Sequence, residues 1–345
     1  MSSSNDQSDP SQILSWKAKL RAYQRPSLWK SLWQLSNTLL PYAALWYLIS
    51  LFASVSVFIV IPLIFLCAAF QVRIFSLFHD CCHGSFFKSQ KANEIVGTIL
   101  GLLVFTPYHH WRWEHSIHHR SAGNLDKRGI GDLWTWTVKE YLNAAWWKKL
   151  LYRILRHPLF LFGISPLGLF LVKYRFASKQ AGEKERRSVF VTNVGILVLG
   201  CFLGLIMGWQ KYILIQLAVA FLAAASGIWL FYVQHQFEEV YWERAERWDY
   251  KSVALAGSSF YKLPKLLEWF TANIGYHHVH HLSPRIPNYL LSRCHKSLPL
   301  FEKVTTLTLP SSFKTLHLHL WDEESKKMVN FKFLKTLSHS KKQAQ

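Results

Sequence analysis

No Asp, Glu, Lys or Arg occurs between Ser31 and Val72. That run is too long for one bilayer crossing at about 20 residues per helix and suits two. The pattern predicts a helical hairpin with its tip at Ser54, Val55 and Ser56. Pro41 falls near the entry of the first helix and Pro62 early in the second, where neighbouring helices can absorb a lost backbone hydrogen bond. The same plan recurs further on. Ser188 to Gln210 is uncharged, Lys211 interrupts, and Tyr212 to Val233 is uncharged again. The expected architecture is all-α, an integral membrane protein with four transmembrane helices in two hairpins.

Shorter apolar stretches lie between these spans. Ile95 to Phe105, within Glu94 to Pro107, is too short to cross comfortably and reads as a re-entrant or interface helix. Pro158 to Val172, broken by Gly163, Pro166 and Gly168, reads as lying on the membrane. The first ten residues are polar, expected to be disordered, and too hydrophilic for a secretory signal, and no cleavable targeting signal is visible. The chain is expected to divide into a partly disordered cytoplasmic segment (1–30), a membrane domain (31–330) and a basic C-terminal tail (331–345).

Half of the 345 residues are hydrophobic, yet the formal net charge is +20. Basic and apolar residues must therefore be segregated along the chain. Arg21, Arg25 and Lys30 precede the first hairpin and Arg73 closes it. Lys173, Arg175, Lys179, Lys184, Arg186 and Arg187 precede the second, and only Lys211 sits at a far tip. Basic residues beside spans are retained on the cytoplasmic side, so both termini are expected there. Nucleic acid is not an expected partner, because these residues flank apolar spans instead of forming one surface stripe. Several of the 16 tryptophans, among them Trp29, Trp33, Trp46, Trp209 and Trp229, suit the membrane interface. The five cysteines fit a reducing compartment. Cys81 and Cys82 read as packing residues.

The chemistry is carried by histidines. Nine histidines are grouped: His79 and His83 form one cluster, His115, His118 and His119 a second, and His277, His280 and His281 a third, with His235 alone between the last two. On a helix, residues three and four apart share a face, so each cluster aims two or three imidazoles one way. Protonated imidazoles crowded together would repel, so such crowding makes sense chiefly around bound cations. His79 and His83 continue the second crossing and His235 continues the fourth, while the other clusters follow in cytoplasmic segments. All can meet on one side, in a cytoplasmic helical cap. They are too many for one ion and suggest two, with redox-active iron fitting best. The zinc-protease pattern HExxH is absent, since Glu114 precedes His115 at the wrong spacing. His157, His295, His317, His319 and His339 read as ordinary surface or core residues.

The stretches HDCCHGSF, WRWEHSIHH, FYVQHQFE and GYHHVHHLSPRIPNY together resemble the membrane-bound fatty acid desaturases of the acyl-lipid type, which includes bacterial and plant omega-6 (delta-12) and bacterial delta-5 enzymes. The resemblance covers roughly residues 35 to 330 and includes the order of the hairpins. Carried over residue by residue, it implies that His79, His83, His115, His118, His119, His277, His280 and His281 are ligands of two non-haem iron ions, and that His235 is a further one. In animal stearoyl-type desaturases an asparagine one turn before that histidine approaches a metal through water. Here the position is Phe231. His278, His109 and His110 lie off the shared faces and are not expected to be ligands.

The implied reaction uses O2 as co-substrate and two electrons to remove two hydrogens from neighbouring methylenes of an acyl chain in a membrane lipid, leaving a cis double bond. The resemblance also implies a multi-pass protein of the bacterial inner membrane with a cytoplasmic active site and an apolar tunnel for the chain. No fused cytochrome b5 signature, flavin site or nicotinamide site is present, so the expected donor is external, such as ferredoxin or a cytochrome b5-like carrier. Lys127, Arg128, Lys148, Lys149, Lys262 and Lys265 are candidates to dock it, or to bind anionic lipid headgroups. Asp80, Asp126, Glu238 and Glu239 are candidates to orient ligand imidazoles. Two rival readings differ in product or class. A hydroxylase of the same superfamily would insert oxygen instead. A haem or metal-transport protein would need histidines or ionisable groups within the spans, which are almost free of them.

Overall fold

The computed structural model describes residues 10–337. The chain is mostly helical. After α1 (Pro10–Arg21), the first hairpin consists of α2 (Leu28–Phe52) and α3 (Val57–His83), followed by α4 (Gln90–Leu103) and α5 (Tyr108–Ser121). Then come α6 (Val138–Asn143) and α7 (Trp146–Leu155), and a bent segment from Phe160 to Arg175. The second hairpin consists of α8 (Glu183–Met207) and α9 (Trp209–His235). The remaining cap holds α10 (Tyr250–Ala256), α11 (Lys265–Phe270), α12 (His277–Leu282) and α13 (Asn288–Ser297).

Helices α2, α3, α8 and α9, of 25, 27, 25 and 27 residues, are long and apolar enough to cross a bilayer. Their outward faces require a non-aqueous solvent. On α8, Phe190, Leu197, Leu205 and Ile206 are each more than 60% exposed. Leaving each in water would forfeit about 1.5–3 kcal/mol, so lipid is the fitting cover. At 1.5 Å per residue α3 and α9 are each about 40 Å long, against a hydrocarbon core of about 30 Å. The surplus carries His79, His83 and His235 past the apolar layer at one end. At the other end Lys211 Nζ donates to Ser54 Oγ, so the two hairpin tips meet.

The cap is tied to the hairpins by polar contacts. Asp80 accepts from the backbone and side-chain amides of Asn288, both at 2.8 Å, at the N-terminus of α13. An acceptor there also complements the helix dipole. Arg73 is buried, donates to Thr38 Oγ1 at 3.0 Å and to the Trp269 carbonyl, and stacks on the Trp269 ring. This residue therefore joins α2, α3 and α11. Gly84, at φ +66°, ends α3 in a left-handed turn whose amide reaches back to the last carbonyls.

Two small sheets modify the all-α expectation. β1 (Trp136–Thr137) pairs parallel with β4 (Leu320–Asp322), which pairs antiparallel with β5 (Lys327–Val329). β2 (Phe260–Lys262) pairs parallel with β3 (Thr306–Thr308). Both clip the C-terminal stretch onto the cap. Phe331, Phe333, Leu334 and Leu337, in the stretch read as a tail, pack against Tyr141, Tyr152 and Leu320. The disorder expected for the first ten residues falls, but for Pro10, outside the described residues, as does His339.

Helix α4 is not a span. It packs on α3, leaving Ile95 and Ile99 about half exposed. The Pro158–Val172 stretch forms part of a bent segment. Phe160–Ile164 and Gly168–Val172 wind as π-helix, the segment is bent by 56° from α7, and its Leu161, Leu169 and Phe170 form one wall of an internal cavity. The stretch also exposes Leu159, Ile164 and Val172, and α7 beside it exposes Trp146, Trp147, Leu150 and Ile154.

Candidate metal centre

Three helix ends and one short helix bring the nine histidines together. His79 and His83 sit one turn apart at the end of α3, and His235 is the last residue of α9. His115, His118 and His119 share a face of α5, and His277, His280 and His281 a face of α12. Helix α12 has only six residues, and all are buried, so packing and not intrinsic propensity holds it. The Tyr250 hydroxyl donates to its His281 carbonyl at 2.7 Å.

The imidazoles fall into two groups. His79, His83, His115, His119 and His280 have one nitrogen each within 4.8 Å of the others, and so do His118, His235 and His281. His277 joins the second group, its Nε2 lying 2.9 Å from that of His235 and 3.1 Å from that of His281. In the first group the Nε2 atoms of His79 and His115 are 3.0 Å apart, those of His115 and His119 3.1 Å, and those of His119 and His280 3.0 Å. Bonds of about 2.1 Å from a metal to neighbouring nitrogens at right angles give roughly this spacing. Burial first, and then neighbouring imidazoles, hold His115, His119, His277, His280 and His281 well below the usual histidine value. Neutral rings with converging lone pairs are what a cation needs. The donor set fits bound metal.

Other histidines point elsewhere. His109 meets Glu94 at 2.8 Å, and His110 Nε2 accepts from the Ser178 amide. His278 Nε2 lies 2.9 Å from His295 Nδ1, in a pocket with Phe260 and Phe301. Phe231 packs against both His118 and His235.

The acidic residues expected to orient imidazoles do not. Asp80 Oδ1 is 3.9 Å from His79 Nδ1, beyond hydrogen-bond range, because the carboxylate is turned toward Asn288. Asp126 pairs with Arg244, and Glu238 and Glu239 lie beside Lys327 on the surface. The group in that position is Asp132, whose Oδ1 lies 2.7 Å from His118 Nδ1. His235 Nδ1 donates to the Gly257 carbonyl at 3.0 Å. Among the basic candidates for docking, Arg128 is held by both oxygens of Glu140 and by the Leu125 and Thr135 carbonyls, which makes it a loop anchor.

A cavity of about 350 Å³ reaches the imidazoles. His79, His115 and His277 line one end, so both groups touch it. The wall is mostly apolar, with Val72 and Phe75 of α3, Leu169 and Phe170 of the bent segment, and Ala220, Ala223, Ala224 and Gly227 of α9. The small residues on α9 leave room where larger side chains would close it. The cavity's charged lining residues, besides the histidines, are Lys173 and Glu114, which meet at 3.2 Å, and Asp132.

The fold and site define a helical membrane protein with a metal-binding histidine centre at the end of an apolar cavity. A family model described as fatty acid desaturase matches residues 56–307, and the chain belongs to that family. It is 46% identical over 317 residues to a fatty acid desaturase of Bacillus subtilis (strain 168), covering 92% of this chain and 90% of that protein. It is 26% identical over 301 residues to an sn-1 oleoyl-lipid 12-desaturase of Picosynechococcus sp., covering 84% of each. It is 28% identical over 235 residues to an sn-1 acyl-lipid omega-3 desaturase (ferredoxin) of Synechocystis sp., covering 65% of this chain and 63% of that protein.

Proposed function

We propose that this chain desaturates the acyl chains of membrane lipids at a centre of two non-haem irons, one held by His79, His83, His115, His119 and His280 and the other by His118, His235, His277 and His281. The observation that carries this reading is that both imidazole groups, through His79 and His115 and through His277, line one mostly apolar cavity. Five imidazoles exceed the usual tetrahedral zinc set, and spacing near 3 Å favours a higher coordination number, which suits iron. When bound, the iron pair supplies the two-electron reduction of O2 that makes removal of unactivated hydrogens possible.

The balanced change is one acyl chain, O2, two electrons and two protons giving one cis alkene and two waters. The residues of this chain supply the rest. Val72, Phe75, Leu169 and Phe170 bind the chain by apolar contact and exclude water. The walls hold one pair of methylenes beside the imidazole end, where misplacement by an ångström costs rate steeply. The relatives named above include acyl-lipid enzymes and one that uses ferredoxin, which supports a lipid substrate and an external donor. The basic residues beside the spans support a cytoplasmic centre and cytoplasmic termini in the bacterial inner membrane.

The test is expression in a host that lacks polyunsaturated lipids, with fatty acids analysed by mass spectrometry. A new double bond is expected in lipid-linked chains, and purified protein is expected to hold two irons with no haem absorption. A hydroxylated product, a haem spectrum or a single zinc with full activity would overturn the reading.

A further inference from the structure

Of the nine clustered imidazoles, His118 alone among the described residues has a carboxylate within hydrogen-bond range. The side chains of Asp132 and His118 are only 6% and 2% exposed. The carboxylate forms no ion pair with Lys or Arg among the described residues, and its second oxygen, Oδ2, is buried with no protein partner. An isolated buried anion is costly unless a cation compensates it. His118 Nε2, on the far side of the ring, is also buried and unpartnered. That is the atom free to face a metal when Nδ1 carries the proton shared with Asp132.

The loop is shaped for this contact. Gly131 has φ +76°, and a Cβ there would stand 2.9 Å from His118 Cβ, so only glycine lets the loop lie against α5 at this point. Arg128, clamped to Glu140, fixes the loop four residues before Asp132. Asp132 lines both the 350 Å³ cavity and a second one of about 10 Å³ beside His118, His235 and Phe231, the latter with room for about one water.

The geometry points to Asp132 as the positioning residue of the four-histidine group: it fixes the tautomer and ring orientation of His118 and raises the basicity of Nε2 toward the ion held by His118, His235, His277 and His281. This rests on the two-iron reading given above. Among the described residues the five-histidine group has no counterpart, so the two ions would be held unequally through the loop and not by imidazole number alone.

The test uses full-length protein purified in detergent and loaded with iron, with Asp132→Asn and Asp132→Ala beside the parent. Iron per chain is measured, release to a chelator is followed in time, and Mössbauer spectra are recorded. Release of one of the two irons is expected to be 10–100-fold faster in Asp132→Ala, with a smaller change in Asp132→Asn, whose amide oxygen still accepts from Nδ1. The Mössbauer parameters of that one iron should shift in Asp132→Asn while the other stays as in the parent. Should Asp132→Ala fail to fold, Asp132→Asn alone decides. Release of both irons at the parental rate with an unchanged spectrum would overturn the inference while leaving the two-iron reading intact. A parent with a single ion would overturn the two-iron reading, and Asp132 would then be judged on that ion's release. With none, both fall.

Discussion

His277 and His278 are neighbours in the chain, but helix geometry turns them to opposite fates. One faces His235 and His281 and lines the cavity, while the other is paired with His295 among aromatic rings. Replacing His277 by alanine is expected to lower desaturation to below about one hundredth, since loss of a ligand should exceed the 10–100-fold effect of losing an outer partner. Replacing His278 should cost stability on the order of 1–3 kcal/mol through the unpaired His295, with activity per folded molecule retained. Lipid analysis and a melting curve on the same preparations separate the two, and an inactive but folded His278→Ala would reverse the assignment. The nine histidines were legible because helical spacing is a local property of sequence. The carboxylates were not. Asp126 and Glu238 were candidates and Asp132 was not, and the partners that claim the first two, Arg244 and Lys327, lie far away in sequence. The overlooked signal was the glycine pair Gly129 and Gly131 just before Asp132: both have positive φ, +126° and +76°, and at Gly131 the loop lies against α5, where a Cβ would stand 2.9 Å from His118 Cβ.

Helix α4 sets where α5, and so three of the histidines, can sit. A Cβ at Gly97 would stand 2.3 Å from the Tyr108 ring and 3.1 Å from Cys81 Cβ, and one at Gly101 would stand 2.4 Å from the Thr106 carbonyl oxygen. The Tyr108 hydroxyl donates to the Cys81 carbonyl at 2.9 Å, locking the start of α5 to the end of α3. Gly97→Leu is therefore expected to destabilise the protein by about 1–3 kcal/mol or more through overpacking, and to weaken iron retention because α5 is displaced. Gly163→Ala, where nothing lies within 4 Å of the added Cβ, serves as the control and should melt like the parent. A Gly97→Leu protein with unchanged melting and iron content would show that α4 is not the spacer. The four spans could be read from charge-free length alone. The bent segment could not, since Gly163, Pro166 and Gly168 show only that a regular helix is interrupted, while its place against α9 depends on contacts the chain does not encode locally.

The two ends of the molecule are tied internally, so relative sidedness follows from contacts even though absolute sidedness comes from charge. Ser54 and Lys211 bind the hairpin tips to each other. At the other end Ser188 Oγ accepts from the His109 amide at 3.0 Å, and Lys184 lies 3.9 Å from Glu94, so the start of α8 is fixed to α4 and α5. The histidine clusters must then share a side with Lys184 and lie opposite Ser54. Lys and Arg gather at the histidine end, and on the positive-inside rule we propose that this end is the cytoplasmic one. The prediction is tested by single-cysteine labelling in intact cells, in a background without native cysteines, at Ser54, Lys91, Lys184, Lys211 and Arg244. Reagent added from outside should reach positions 54 and 211 alone, and permeabilised cells should expose the other three. Labelling of positions 91, 184 and 244 from outside, with 54 and 211 protected, would invert the protein and move the centre away from cytoplasmic electron donors. Outside access to 184 but not 91 would break the tie between α8 and α4, and no single centre could then gather all nine histidines.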